Sequence, residues 1–180
     1  MGEKPENLFE ELIGQFYPRI YRWALVITGD PDSADDVTQE AVIRAYRHFD
    51  TFRGDSSFST WLYKITRNVA VGMMSRETAR NQRQERIYLE EMVAETSGTT
   101  SENIIDGDQL LEIVQSFFRQ LSDRQREIFD LVDLQGYKPI EAAEMLGIDA
   151  ATARTHLLRA RRTIRGRIVD HYPELLEGAG

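Results

Sequence analysis

Apolar side chains in this chain return every three or four residues and almost never every second one, which confines it to helices. Leu8, Leu12, Phe16 and Ile20, widened by Ile13 and Trp23, predict an amphipathic helix over about residues 7–28. Gly29, Asp30 and Pro31 break it. Ser33 with Asp36 reads as a capping-box-like start, after which Val37, Ala41, Ala45 and Phe49 line one face of a second helix. Asp50 to Ser57 is a loop around Gly54, and Phe58, Trp61, Leu62, Ile65, Val69 and Met73 mark a third helix. Burying the three apolar faces together closes one small bundle. No strand-like alternation interrupts the pattern, so the fold class is all-α.

The rhythm fades between Glu77 and Asp108. Arg80 to Glu95 is compatible with helix, but Thr96 to Ser101 form a polar, low-complexity joint. The expected organisation is two small helical domains joined by a flexible acidic linker: 1–76, a linker over 77–108, 109–170, and a tail over 171–180. In the second domain Leu110, Ile113, Val114, Phe117 and Leu121 make one stripe. Ser122 and Gln125 cap the next helix, whose Ile128, Phe129, Leu131 and Val132 face inward, and Gly136 ends it.

Charge divides unevenly along the 180 residues. The net −8 is composed of −2 over residues 1–76, −5 over 77–109 and −1 over 110–180. Yet Ala150 to Val169 carries Arg154, Arg159, Arg161, Arg162, Arg165 and Arg167 with no acid. An acidic whole repels a polyanion, whereas a local cationic stretch can touch one if something else holds it there. Cysteine is absent, which excludes disulfides, thiolate-held zinc and a cysteine nucleophile. The polar start (Met1 to Glu10) has no signal-peptide core, and no apolar run approaches the length of a membrane span; the default is a cytoplasmic protein without membrane insertion.

The cationic stretch lies in a recognisable frame. Pro139 suits a first helical turn, Ala142, Ala143 and Leu146 are small or apolar, Gly147 permits a sharp turn, and Ile148 plugs the angle. Asp149 then caps a longer helix with Ala153, Leu157, Ala160 and Ile164 inward. That order is a helix-turn-helix, and its outward set is Thr152, Arg154, Thr155, His156, Arg159 and Arg162. Arginine there suits guanine edges or phosphates in a major groove. A plain αα-hairpin with a solvated basic face shows the same helix pattern; the acid-free arginine run favours DNA. His156 reads as a polar contact rather than a metal ligand.

In the third helix Thr60, Lys64 and Arg67 lie off the apolar stripe and are candidates to touch nucleic acid. Phe58 and Trp61, on the stripe, read as core. Asp35, Asp36 and Glu40 raise the alternative of a metal nuclease, but adjacent acids on a helix diverge by about 100° per residue and do not converge as hydrolytic ligands must. No catalytic residue, metal or cofactor is called for.

Two blocks then carry a resemblance. TGDPDSADDVTQEAVIRAYRHFDTFRGDSSFSTWLYKITRN resembles region 2 of the extracytoplasmic-function (ECF, group 4) sigma factors of bacterial RNA polymerase, and LSDRQREIFDLVDLQGYKPIEAAEMLGIDAATARTHLLRARRTIR resembles region 4. Together they span about residues 8–76 and 109–168, in the family's order. The resemblance implies a promoter-specificity subunit that binds core polymerase and begins promoter melting. It implies that Asp35, Asp36, Gln39, Glu40 and Arg44 dock on the β′ clamp helices. Phe52, Arg53, Ser56, Ser57, Thr60, Lys64, Arg67 and Asn68 would meet the −10 element, and the helix of Arg154, Thr155, His156, Arg159 and Arg162 the −35 groove. The remaining apolar surface of the second domain would meet the β flap. An anti-sigma factor would hold or mask the two domains. Where the family often has Lys-Ser-Arg this chain has Arg154, Thr155 and His156, so no −35 sequence carries over. The tail HYPELLEGAG is shorter than the extra C-terminal domain of some members. The rival reading is a sigma-like interaction protein that titrates an anti-sigma factor without initiating transcription.

Overall fold

Helices form where the apolar period runs, with ends set by local hydrogen bonding. A computed structural model describes residues 5–91, 117, 118 and 120–171. In chain order these hold α1 (Pro5–Thr28), α2 (Pro31–His48), a short 3-10 turn (Phe49–Thr51), α3 (Phe58–Glu91), α4 (Asp123–Phe129), α5 (Pro139–Leu146) and α6 (Ala150–His171). The end of the expected linker (92–108), the stripe residues Leu110, Ile113 and Val114, and the tail beyond His171 lie outside the described residues.

Two helix ends differ from the sequence expectation. α2 is capped by Asp30 rather than Ser33: Asp30 has extended backbone, and its carboxylate accepts the Ser33 N–H at 2.8 Å. That bond holds the Asp30 carboxyl below the usual carboxylate range. Pro31 follows at the first helical position, where its missing N–H is harmless. α3 starts where Ser57 Oγ accepts the Thr60 N–H at 3.2 Å, but it runs past Met73 to Glu91. Beyond Gly72 that stretch has no Gly or Pro and is rich in Arg, Glu, Gln and Met, so helix propagates without an apolar stripe.

The first helical group is α1, α2 and α3, closed around Ile20, Trp23, Val37, Leu62 and Tyr63. Fully buried Ala34, Ala41 and Ala45 let α2 lie close against its neighbours. The second group is α4, α5 and α6, around Ile128, Leu131, Met145, Leu157 and Ala160. These groups also meet: α1 packs on α4 and α3 on α5, so one apolar core passes through both. Among the described residues no helix is long and apolar enough to cross a membrane.

Burial predicts where stability resides. Leu62 is fully buried and Leu158 is 61% exposed. Leu62→Ala is expected to lower unfolding free energy in urea by about 2–5 kcal/mol. Leu158→Ala should change it by no more than about 0.5 kcal/mol. Equal losses would contradict this packing.

Candidate nucleic-acid interface

The turn between α5 and α6 is built as the sequence requires. Gly147 takes φ +65°, its N–H bonds the Glu144 carbonyl at 3.2 Å, and the Ile148 N–H reaches back to Ala143 at 3.0 Å. This pair of bonds needs a left-handed residue, which glycine supplies without a Cβ clash. Arg124 Nη1 donates to the Leu146 carbonyl at 3.3 Å and so satisfies another free helix end. Asp149 then opens α6. Its carboxylate accepts the N–H groups of Ala151 and Thr152, each at 2.9 Å, and the Thr152 hydroxyl. The Thr152 bonds hold the Asp149 carboxyl below its ordinary range.

α6 turns Ala153, Leu157 and Ala160 into the core and leaves Arg154, Thr155, Arg159 and Arg162 exposed. Thr152 and His156 are half-buried on the same side, and His156 Nδ1 has no hydrogen-bond partner among the described residues. Positions 152, 155, 156, 159 and 162 follow the three-to-four spacing of one helix face. Arg161 is held instead by Asp133, at 2.6 and 2.9 Å. The basic face therefore stands on a helix whose start is capped by Asp149.

The candidates around α3 are less uniform. Phe52 lies over Phe58 and Trp61, with ring centroids 5.6 and 5.2 Å away, at the edge of an aromatic cluster continued by Phe16 and Phe49. Arg53, Lys64 and Asn68 are exposed and Ser56 is half-buried. Ser57 caps the helix. Thr60, expected off the core, is 2% exposed, and its hydroxyl lies 2.9 Å from Ser57 Oγ; it secures the helix start instead of facing solvent. Arg67 points across to the second group. On α2, Asp35, Asp36 and Gln39 are exposed, Glu40 pairs with Arg44 at 2.6 Å, and exposed Ile43 shares their face.

Both groups match known families. The family model described as Sigma-70 region 2 matches residues 12–80, and that of Sigma-70, region 4 matches residues 111–164. The ECF RNA polymerase sigma factor SigW of Bacillus subtilis is 28% identical over 92% of this chain and 91% of its own length. The ECF RNA polymerase sigma-E factor of Escherichia coli K12 is 33% identical over 74% of this chain and 72% of its own. The chain belongs to the ECF sigma factors. In fold it is similar to the sigma factor RpoE of Bartonella quintana, solved in complex with the anti-sigma factor NepR: TM-score 0.71, 22% identity, 88% of this chain and 94% of that one. As an ECF sigma factor it is a non-enzymatic transcription initiation factor, with region 2 in the first helical group and region 4 in the second.

Sequence reasoning missed the residues by which the two groups of this sigma factor touch. Glu127, 2% exposed, accepts from Tyr63 Oη at 2.6 Å and from Arg67 Nε at 2.7 Å. Burial first, then the Glu127 charge, push the Tyr63 phenol well above its ordinary value, so it stays a donor. Burial works against the Arg67 charge, but the hydrogen bond and charge of Glu127 outweigh it and raise its pKa. One turn on, Asp130 accepts from Arg22 Nε at 2.8 Å and from Gln135, and Gln135 in turn accepts the Trp23 indole N–H at 3.1 Å. Burial pushes the Asp130 carboxyl up against these bonds. Gln135 reaches Asp130 because α4 widens into a π turn over Asp130–Leu134, closed by the Gln135 N–H on the Asp130 carbonyl at 3.0 Å. The one readable signal is two acids three residues apart beside inward apolar positions.

The α6 cap is testable. Asp149→Ala is expected to lower the melting temperature, whereas Asp149→Asn, which keeps a side-chain acceptor, should retain it near pH 7. Because the folded carboxyl titrates low, the Asp149 contribution is present above the ordinary range near 3.8 and is lost as pH falls through the depressed folded value. Identical melting of all three proteins would remove Asp149 as the cap.

Proposed function

We propose that this ECF sigma factor reads the −35 element with α6, engages the −10 element with the 52–57 loop and the start of α3, and docks on the β′ clamp helices with the acidic face of α2. The observation that carries the reading is the face of α6. Arg154, Thr155, Arg159 and Arg162 stand exposed on a capped helix behind a glycine turn, with no acid between Ala150 and Val169. A helix of that width fits the major groove, and guanidinium groups pair bidentately with guanine or phosphate.

Region 2 contributes a different chemistry. Phe52 on Trp61 forms an aromatic edge beside exposed Arg53, Lys64 and Asn68, which suits bases drawn out of a duplex and their phosphates. Each captured base contributes about 1–3 kcal/mol, against a mean of about 1.4 kcal/mol per base step opened. Asp35, Asp36 and Gln39 around exposed Ile43 suit a basic partner helix with some apolar contact. The net charge of −8 suits a subunit that holds DNA weakly alone and gains its grip inside the holoenzyme in the cytoplasm. An anti-sigma partner and contact of region 4 with the β flap complete the proposal; the Bartonella quintana sigma factor was solved with such a partner.

Run-off transcription with purified core polymerase tests it. The wild-type chain is expected to yield promoter-specific transcript, and a chain that only titrates an anti-sigma factor would yield none. Arg154→Ala or Arg159→Ala should weaken holoenzyme binding to the promoter and reduce its salt slope by about 1 for each phosphate no longer neutralised. An unchanged slope with unchanged promoter choice would remove those arginines from the interface.

A further inference from the structure

Arg67 is claimed twice. The resemblance to sigma region 2 gives it to the −10 strand, yet in the free chain its guanidinium is bound by Glu127 of region 4, at 2.7 Å from Nε and 3.4 Å from Nη2. We infer that Glu127 is an internal stand-in for DNA phosphate: it occupies Arg67 while regions 2 and 4 are packed together, so that strand binding and closure exclude one another. This rests on the reading of Arg67 as a strand contact.

A carboxylate and a phosphate present the same paired oxygens to a guanidinium fork, so one fork cannot serve both. The Glu127 socket is otherwise complete. Tyr63 donates at 2.6 Å, Arg124 stands 3.9 Å away on the same helix, and Glu127 itself is buried. A second socket one turn along α4 repeats the arrangement, with Asp130 held by Arg22 at 2.7 Å. Both carboxylates come from region 4, and Tyr63, Arg67 and Arg22 come from region 2.

The seam between them is made to part. Buried ion pairs fix geometry strongly but add little net stability, because separation returns every charge to water together. Beside Glu127 the packing is incomplete. A pocket of about 130 Å³, partly open to solvent, is bordered by Glu127, Arg67, Val26, Ile27, Val71 and Met74, and Arg126 Nε beside it is buried with no hydrogen-bond partner among the described residues. The unmet donor weakens this side of the closed state relative to the open one.

The absence of cysteine allows clean labelling for the test. Dyes at Glu11→Cys and Glu144→Cys, both exposed, report the separation of the groups by energy transfer in the full-length protein. Glu127→Gln keeps the side-chain shape and removes the charge; Arg22→Ala weakens the second socket from the other side. Each is expected to raise the open-to-closed ratio by about tenfold or more, the effect of losing a charge-assisted hydrogen bond. Unchanged helical circular dichroism would show that the variants remain folded. Affinity for a fluorescent mixed-sequence single-stranded oligonucleotide should rise in Glu127→Gln by the factor by which the open fraction rises, and Arg67→Ala added to that variant should abolish the gain. Unchanged energy transfer in both folded variants would overturn the latch. Opening with no gain in strand affinity would overturn the competition and place the fault in the assignment of Arg67 to DNA.

Discussion

A carboxylate taken out of water must be met by donors, and here the donors that meet Glu127 and Asp130 belong largely to the other helical group. Tyr63, Arg67 and Arg22 reach across from α3 and α1, and Gln135 links Asp130 to the buried indole of Trp23. Deleting one partner of such a pair strands a buried charge, at a cost of about 3–5 kcal/mol. The seam therefore has one register. It is also reversible as a unit, because opening it strands nothing.

Division of labour follows from where charge is placed. The acidic chain keeps a cationic face on α6, where the Gly147 turn and the Asp149 cap hold the helix in a fixed attitude. A fixed attitude suits the groove reading proposed for α6, since a helix that frays loses the register of its arginines. Region 2 carries aromatic and cationic groups near the start of α3, and an acidic face on α2. Neither group alone has the charge to hold a duplex firmly, which is consistent with an initiation factor that works as a subunit of a larger enzyme.

Much of this was legible beforehand. The apolar period announced α1, α2, the start of α3 and the inward faces of α4 and α6. Gly147 and Asp149 announced the helix-turn-helix, because a left-handed turn and a helix cap each demand particular residue types. Other features depend on partners that periodicity does not reveal. Thr60 looked exposed by its place off the stripe, but the Ser57 cap folds over it. Asp30 competed with Ser33 for the α2 cap and prevailed because Pro31 enters the helix directly behind it. α3 outlasted its apolar stripe because helix propensity carries it onward. The sockets for Glu127 and Asp130 were invisible, since the residues that fill them lie 60 or more positions from their partners.

A chain packed as one body when free must part its two groups to serve as a sigma factor. Distances between nitroxide labels at Asp32→Cys on α2 and Arg165→Cys on α6, measured by electron–electron double resonance, test this directly. A single short, narrow distribution is expected for the free protein, replaced by a longer one when core polymerase and promoter DNA are added. The same distribution in the free chain and in the transcribing complex would contradict it.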